Sequence, residues 1–152
     1  MKKWGKLAVL TALLLALPSC AKDAIDLPAP QSVYAEIASS VDMPEMVEMT
    51  ADEMADYLGL EASDYSDFAY YTCLIATQPD EVAVIAAVDG GAAGRVKQKL
   101  QDRLDYKEKS AENYLPENIP IIKKAIIRQD GLTASMLVSA DAEDMAAVYS
   151  SF

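Results

Sequence analysis

The chain has 152 residues, 52% of them hydrophobic, a length and composition that fit one folded domain and exclude an intrinsically disordered protein. Its formal net charge of −11 repels nucleic acid, which we exclude as a partner. Histidine is absent, which excludes serine triads, typical zinc sites and the commonest general base near neutral pH.

The first 19 residues have the features of an export signal. Three lysines, Lys2, Lys3 and Lys6, precede an uncharged stretch over residues 7–17. A helix of that length spans about 16 Å, whereas the hydrocarbon core of a bilayer is about 30 Å thick. We therefore predict a cleaved leader over residues 1–19 and not a membrane-spanning anchor.

The end of this leader, Leu17-Pro18-Ser19-Cys20, resembles a bacterial lipobox. The resemblance implies cleavage between Ser19 and Cys20 and a diacylglyceryl thioether on Cys20. Two acyl chains anchor a protein stably, whereas one chain binds a membrane only marginally. We therefore expect a lipid-anchored protein on the extracytoplasmic face of the cell membrane. The alternative is an ordinary signal peptide with Cys20 as an unmodified thiol.

The mature chain is more acidic than the whole chain. Residues 1–19 hold three bases and no acid, so their removal leaves ten bases against 24 acids, a formal charge of −14. Residues 20–90 contain fifteen acids and one base, and residues 91–152 contain nine of each. We interpret the acidic half as a solvated, repulsive surface. An acidic face for a basic partner or for cations is the alternative.

The mature chain is predicted to begin with a tether. Residues 20–31 include Pro28 and Pro30 and show no hydrophobic periodicity, as in a flexible linker. A single domain is predicted over residues 32–152. Its first element is a short helix that ends by Pro44.

A second helix is predicted over residues 50–58. Thr50 and Glu53 have the spacing of a capping box, and a glycine follows the last residue as a natural stop. Met54, Tyr57 and Leu58 are expected to line the face of this helix that meets the core.

Two strands and a long helix are predicted next. Residues 68–76 are rich in aromatic and β-branched residues, and residues 81–88 form a nearly continuous apolar run. Their short connection predicts an antiparallel pair. A helix is expected from Asp89 to about Lys109, followed by a loop or single turn. The helix contains six of the ten mature bases: Arg95, Lys97, Lys99, Arg103, Lys107 and Lys109.

The C-terminal part predicts a hairpin and a final helix. Strands are expected over residues 121–128 and 132–139, joined by a turn at Gly131, and a helix from about Asp141. The element order is α-α-β-β-α-β-β-α. It predicts an α+β fold with a four-stranded, mostly antiparallel sheet and helices on one face.

Several segments resemble one known family. They are residues 80–85 before the charged helix, residues 114–117, and Gly131 followed by residues 137–141. Together with the lipobox cysteine they are similar to a family of bacterial lipoproteins, common in Gram-positive anaerobes, that is known only as a domain of unknown function. The resemblance extends from about residue 47 to the end. It implies an exported lipoprotein and supplies no activity, cofactor or catalytic residue.

Three methionines, Met43, Met46 and Met49, recur at every third position. Thioethers are soft ligands that select Cu(I), so this spacing gives a candidate extracytoplasmic copper site. Methionine also fills irregular gaps in hydrophobic cores. Core packing is the interpretation that we favour.

Other patterns have structural interpretations. Cys73 lies in an apolar run and is interpreted as a small buried hydrophobe. The glycines of residues 89–95 suit a strand-to-helix turn better than a phosphate cradle, because the G-x-G-x-x-G spacing is missing. Most of the eight tyrosines are expected at core or rim positions, with a peptide- or carbohydrate-binding surface as the alternative.

The sequence therefore predicts a non-catalytic interaction or accessory module at the cell surface, with an envelope protein or polymer as partner and no cofactor. One alternative is a Cu(I)-handling lipoprotein that uses Met43, Met46 and Met49. Another is a carboxylate-dependent envelope hydrolase, since glycosidase chemistry needs only two facing carboxyls about 5–9.5 Å apart.

Overall fold

A computed structural model of the chain describes residues 27–152. The predicted export signal, Ser19, Cys20 and the predicted tether as far as residue 26 lie outside this part of the chain. None of the helices within residues 27–152 combines the length and the hydropathy of a transmembrane segment.

The described chain forms five α-helices and five β-strands. The helices are α1 (Pro30–Ser40), α2 (Ala51–Leu58), α3 (Gly90–Tyr114), α4 (Ile119–Ile122) and α5 (Ala142–Tyr149). The strands are β1 (Met46–Glu48), β2 (Tyr65–Cys73), β3 (Glu81–Ala87), β4 (Ile126–Asp130) and β5 (Thr133–Val138). They make one sheet in the order β1-β2-β3-β5-β4, with every neighbouring pair antiparallel. The predicted α+β class and the antiparallel pairing of β2 with β3 are confirmed.

The sheet has five strands, so the prediction of four strands is wrong. The additional strand, β1, has three residues and lies at the edge of the sheet, where Val47 pairs with Thr72. A segment of three residues is too short to show alternation of apolar and polar side chains, and Pro44 lies just before it. Pairing with β2, and not local preference, makes this segment a strand.

Helices cover both faces of the sheet, so the prediction of helices on one face is also wrong. Successive residues of β3 point to opposite faces, which explains its continuous apolar run. Val82 and Val84 belong to a core cluster with residues of α1 and α5, which we call the α1 face. Ala83 and Ile85 belong to a second cluster with residues of α2, α3 and α4, which we call the α3 face.

Proline explains most differences at the helix boundaries. Helix α1 begins at Pro30, two residues before the predicted domain, because proline suits the first turn of a helix. Pro120 occupies the first turn of α4, and Ile122 of that helix is buried in the core of the α3 face. The predicted strand over residues 121–128 therefore starts only at Ile126. A short apolar run is compatible with a helix or a strand, which is why the sequence pattern misplaced this boundary.

The predicted caps and turns are confirmed. The Thr50 hydroxyl accepts a hydrogen bond from the amide N–H of Glu53, while the Glu53 carboxylate accepts one from the amide N–H of Thr50 at 2.8 Å. Gly59 ends α2 with φ of 62°, and Gly131 adopts φ of 60° in the β4–β5 hairpin. Met54 and Leu58 are buried as expected, but Tyr57 is 50% exposed.

We expect Thr50→Ala to lower the free energy of unfolding by about 1 kcal/mol, because it removes the side-chain acceptor that caps α2. Urea denaturation followed by circular dichroism measures this change. Thr77→Ala is the matched control, since Thr77 is exposed and its side chain caps no helix. Equal effects of the two substitutions would contradict a stabilising role for the cap.

Candidate functional site

A buried cluster of charged side chains lies on the α3 face. Glu81, the first residue of β3, is fully buried, and its carboxylate accepts hydrogen bonds from three side chains. The Tyr70 hydroxyl donates to Oε1 at 2.7 Å. Arg103 donates from Nε to Oε1 at 2.9 Å and from Nη2 to Oε2 at 3.0 Å, and Lys107 Nζ donates to Oε2 at 2.6 Å. We call these four residues the Glu81 cluster.

The lengths of β3 and α3 bring this cluster together. Strand β3 has seven residues, which extend about 23 Å, and α3 starts three residues after it. Arg103 lies 13 positions after Gly90, which corresponds to a rise of about 20 Å along a helix. A helix that runs back over the strand therefore reaches the start of β3 near Arg103. Lys107 lies one turn further on the same helix face.

The Glu81 carboxyl stays ionised at neutral pH. Its burial acts to raise the pKa, but the hydrogen bonds and positive charges of Arg103 and Lys107 outweigh burial, so the pKa of Glu81 lies below its usual value. Burial and the Glu81 charge raise the pKa of Tyr70, which stays neutral. The cluster thus has one negative and two positive charges. A general acid needs a carboxyl with a raised pKa, which Glu81 does not have.

A shallow groove adjoins the cluster. Its volume is about 180 Å³, and it lies between α3, the loop that follows β2 and the 3₁₀ turn Pro116–Asn118. The Asn118 side chain donates to the carbonyl oxygen of Thr77 at 2.9 Å and so ties that loop to the turn. We call this feature the α3 groove. Its polar lining residues include Gln78, Arg103, Tyr106, Lys107, Ser110 and Tyr114.

Three of the eight tyrosines are exposed, and all three lie on α2 or α3. The exposed fractions are 50% for Tyr57, 65% for Tyr106 and 79% for Tyr114, whereas Tyr70 and Tyr149 are buried. The guanidinium carbon of Arg103 lies 4.9 Å from the ring centre of Tyr57 and 6.0 Å from that of Tyr106. These distances are in the range of cation–π contacts, so the aromatic rings extend the Glu81 cluster to the surface.

The candidate copper ligands are divided between the two faces of the sheet. Met49 is buried in the core of the α3 face, where its sulfur accepts a hydrogen bond from the Thr72 hydroxyl at 3.4 Å. Met43 and Met46 pack against the core of the α1 face. The structure therefore does not bring the three sulfurs to one site, and it supports the packing interpretation of each methionine.

The thiol of Cys73 is only partly buried, so its prediction as a core hydrophobe is wrong. Cys73 is the last residue of β2, and its thiol donates to the Gln78 side-chain oxygen at 3.1 Å. The apolar run around it continues into an exposed loop, where Leu74 and Ile75 are 54% and 52% exposed.

The glycine-rich segment forms the predicted strand-to-helix turn. Asp89 caps α3, and its carboxylate accepts a hydrogen bond from the amide N–H of Ala92 at 2.7 Å. A negative side chain thus occupies the helix N-terminus at which a phosphate would bind. Within residues 27–152, no group of three or more Cys, Asp or Glu residues is arranged to hold a metal ion.

The Glu81 cluster was not predicted from the sequence, although two signals point to it. Glu81 is an acid at the start of an otherwise apolar strand, and such an acid is rarely buried without a partner. Arg103 and Lys107 are bases four residues apart on the helix that follows. Combining the two signals requires the helix to fold back over the strand, which only the tertiary structure shows.

The fold and the site define an α+β protein with a central antiparallel sheet, helices on both faces, and a buried ion cluster beside a shallow groove. The chain belongs to the family described as Domain of unknown function (DUF4358), whose model matches residues 39–139. The matched region includes all five strands and the whole Glu81 cluster. Membership of a family known only as a domain of unknown function is thereby confirmed. No curated protein and no solved structure matches the chain.

Proposed function

We propose that this protein is a non-catalytic interaction module that lipid on Cys20 tethers to the outer face of the cell membrane, and that it binds its partner through the α3 groove. The observation that supports this proposal most directly is the groove itself, which combines exposed tyrosines with two cationic side chains. Tyrosine is favoured at protein interfaces because it joins a large apolar ring to a polar hydroxyl.

The chemistry of the groove favours binding over catalysis. Its lining includes no carboxylate, and the nearby Glu81 carboxylate is fully engaged by Tyr70, Arg103 and Lys107. A hydrolase with two facing carboxyls finds no support at this site. The volume of about 180 Å³ is also below the roughly 300–1,000 Å³ typical of pockets that enclose a small molecule.

The position of the groove suits a tethered protein. The tether enters the domain at α1, and α1 packs on the face of the sheet opposite to α3. Attachment to the membrane through the tether that precedes α1 therefore leaves the α3 face available to an envelope protein or polymer. The alternative of Cu(I) handling is less well supported, because Met49 and the pair Met43 and Met46 lie on different faces.

A photoreactive phenylalanine analogue placed at Tyr114 in the full chain tests this proposal in cells. We expect irradiation to give a discrete cross-linked product from Tyr114, because that side chain is 79% exposed at the groove. Ser39, exposed on α1, is the matched control position and should give no such product. Gel electrophoresis and mass spectrometry identify the products. The same products from both positions, or none from Tyr114, would argue against the groove as the interaction site.

A further inference from the structure

We infer that the α3 groove recognises the C-terminal carboxylate of a peptide. This inference rests on the proposed function and specifies the ligand of the same site. It follows from the donors that the Glu81 cluster leaves unused, from the sign of the charges at the groove and from the neighbouring apolar surface.

Arg103 and Lys107 retain donors for a ligand. A guanidinium has five N–H donors, and Arg103 directs only Nε and Nη2 to Glu81. An ammonium group has three donors, and within the described chain Lys107 uses one, toward Glu81 Oε2. Glu81 therefore acts as a positioning residue that holds both bases at the groove. A preorganised pair of donors loses less entropy on binding than two mobile surface side chains.

The charges at the groove favour a ligand with a single negative charge. The charged residues that line it are Arg103 and Lys107, and with Glu81 included the site has one net positive charge. The chain as a whole has a net charge of −11. A polyanion such as a phosphate-linked polymer is repelled by this net negative charge. A lone carboxylate meets much less repulsion, because dissolved salt screens the interaction between charges that lie more than about 8–10 Å apart.

The remaining lining suits a peptide around that carboxylate. Ala76 and Leu115 provide apolar contact, and the rings of Tyr106 and Tyr114 flank the groove. Gln78 and Ser110 place an amide and a hydroxyl where peptide N–H and C=O groups can bind. The groove therefore fits a carboxylate next to an apolar or aromatic residue.

Ligand-observed saturation-transfer NMR with the full chain tests the inference with two probes that differ only in the acidic group. The probes are N-acetyl-phenylalanine and N-acetyl-phenylalaninamide. We expect the acid to bind at least about tenfold more tightly than the amide, as for one charge-assisted hydrogen bond. Binding of the acid should weaken as sodium chloride is raised. This comparison uses the unmutated protein and so does not depend on the folding of any variant.

Two variants then locate the site. Lys107→Gln should weaken binding of the acid about tenfold and so remove most of the preference for the acid over the amide, whereas Lys107→Arg should retain that preference. Lys109→Gln is the matched control, because this substitution removes the same charge from an exposed position on α3. Equal loss in both glutamine variants, or no loss in Lys107→Gln, would place the site elsewhere and overturn the inference.

The remaining outcomes separate this inference from the proposed function. Equal binding of acid and amide would overturn the carboxylate as the recognised group and leave the groove as an interaction site. Displacement of the acid by inorganic phosphate at lower concentration than by acetate would overturn it in favour of a phosphate ligand. Absence of binding by both probes would also overturn it, while cross-linking from Tyr114 would still decide the proposed function.

Discussion

Replacement of Cys20 by alanine is expected to abolish incorporation of a palmitate analogue into this protein and to deplete it from the membrane fraction. The proposed anchor is a diacylglyceryl group on the thiol, and each buried methylene contributes about 0.8 kcal/mol to membrane binding. Two acyl chains together give stable attachment, so their loss should change the distribution of the protein almost completely. Metabolic labelling, followed by immunoblots of membrane and medium fractions, measures both effects.

Cys73→Ala is the matched control for this experiment, since Cys73 is the other cysteine in the chain. Its thiol lies at the end of β2, within the folded domain. We expect this variant to incorporate the palmitate analogue and to stay with membranes as the unmutated protein does. Labelling that persists in Cys20→Ala, or a mature protein with an unmodified Cys20 thiol, would contradict lipid anchoring and the cell-surface location proposed with it.

Glu81→Ala is expected to lower the free energy of unfolding by about 3–5 kcal/mol. Glu81 is fully buried, and its removal leaves the positive charges of Arg103 and Lys107 unpaired in a largely buried position. Chemical denaturation of the mature chain at neutral pH measures the loss. Glu36→Ala on the exposed surface of α1 is the matched control, with an expected change within about 0.5 kcal/mol.

A variant without the whole cluster distinguishes the cost of unpaired charges from the value of the ion cluster itself. Replacing Glu81, Arg103 and Lys107 by methionine and Tyr70 by phenylalanine removes all three charges, leaves no buried hydroxyl without its acceptor and keeps side chains that fill space. Such a variant should regain most of the stability that Glu81→Ala loses, because buried ion pairs contribute little more than apolar packing. If Glu81→Ala costs no more than Glu36→Ala, the cluster does not hold α3 to the sheet.

The contribution of Glu81 should also depend on pH. Its pKa in the folded protein lies below the unfolded value, so its ionised form stabilises the fold above the ordinary carboxyl pKa. That stability is lost as the pH falls through the depressed folded pKa. The difference in unfolding free energy between the unmutated chain and Glu81→Ala should therefore shrink on acidification.

Local structure follows from the amino-acid sequence wherever its cause lies within a few residues. The capping box at Thr50, the stop at Gly59 and the hairpin at Gly131 each depend on side chains or backbone angles near the position they control. The antiparallel pairing of β2 and β3 follows in the same way from their short connection. The resemblance to a family of unknown function was likewise visible in short segments of the chain, and the family match confirms it.

Features that depend on contacts between distant segments became visible only in the tertiary structure. Strand β1 exists because β2 offers an edge, and both faces of the sheet are covered because α1 and α3 pack on opposite sides. In the Glu81 cluster, Arg103 lies 22 positions and Lys107 lies 26 positions after Glu81. These separations are set by how far a helix runs back over a strand. A sequence pattern shows which residues are apolar and which are charged. It does not record which of them meet, because that depends on the packing of whole elements against one another.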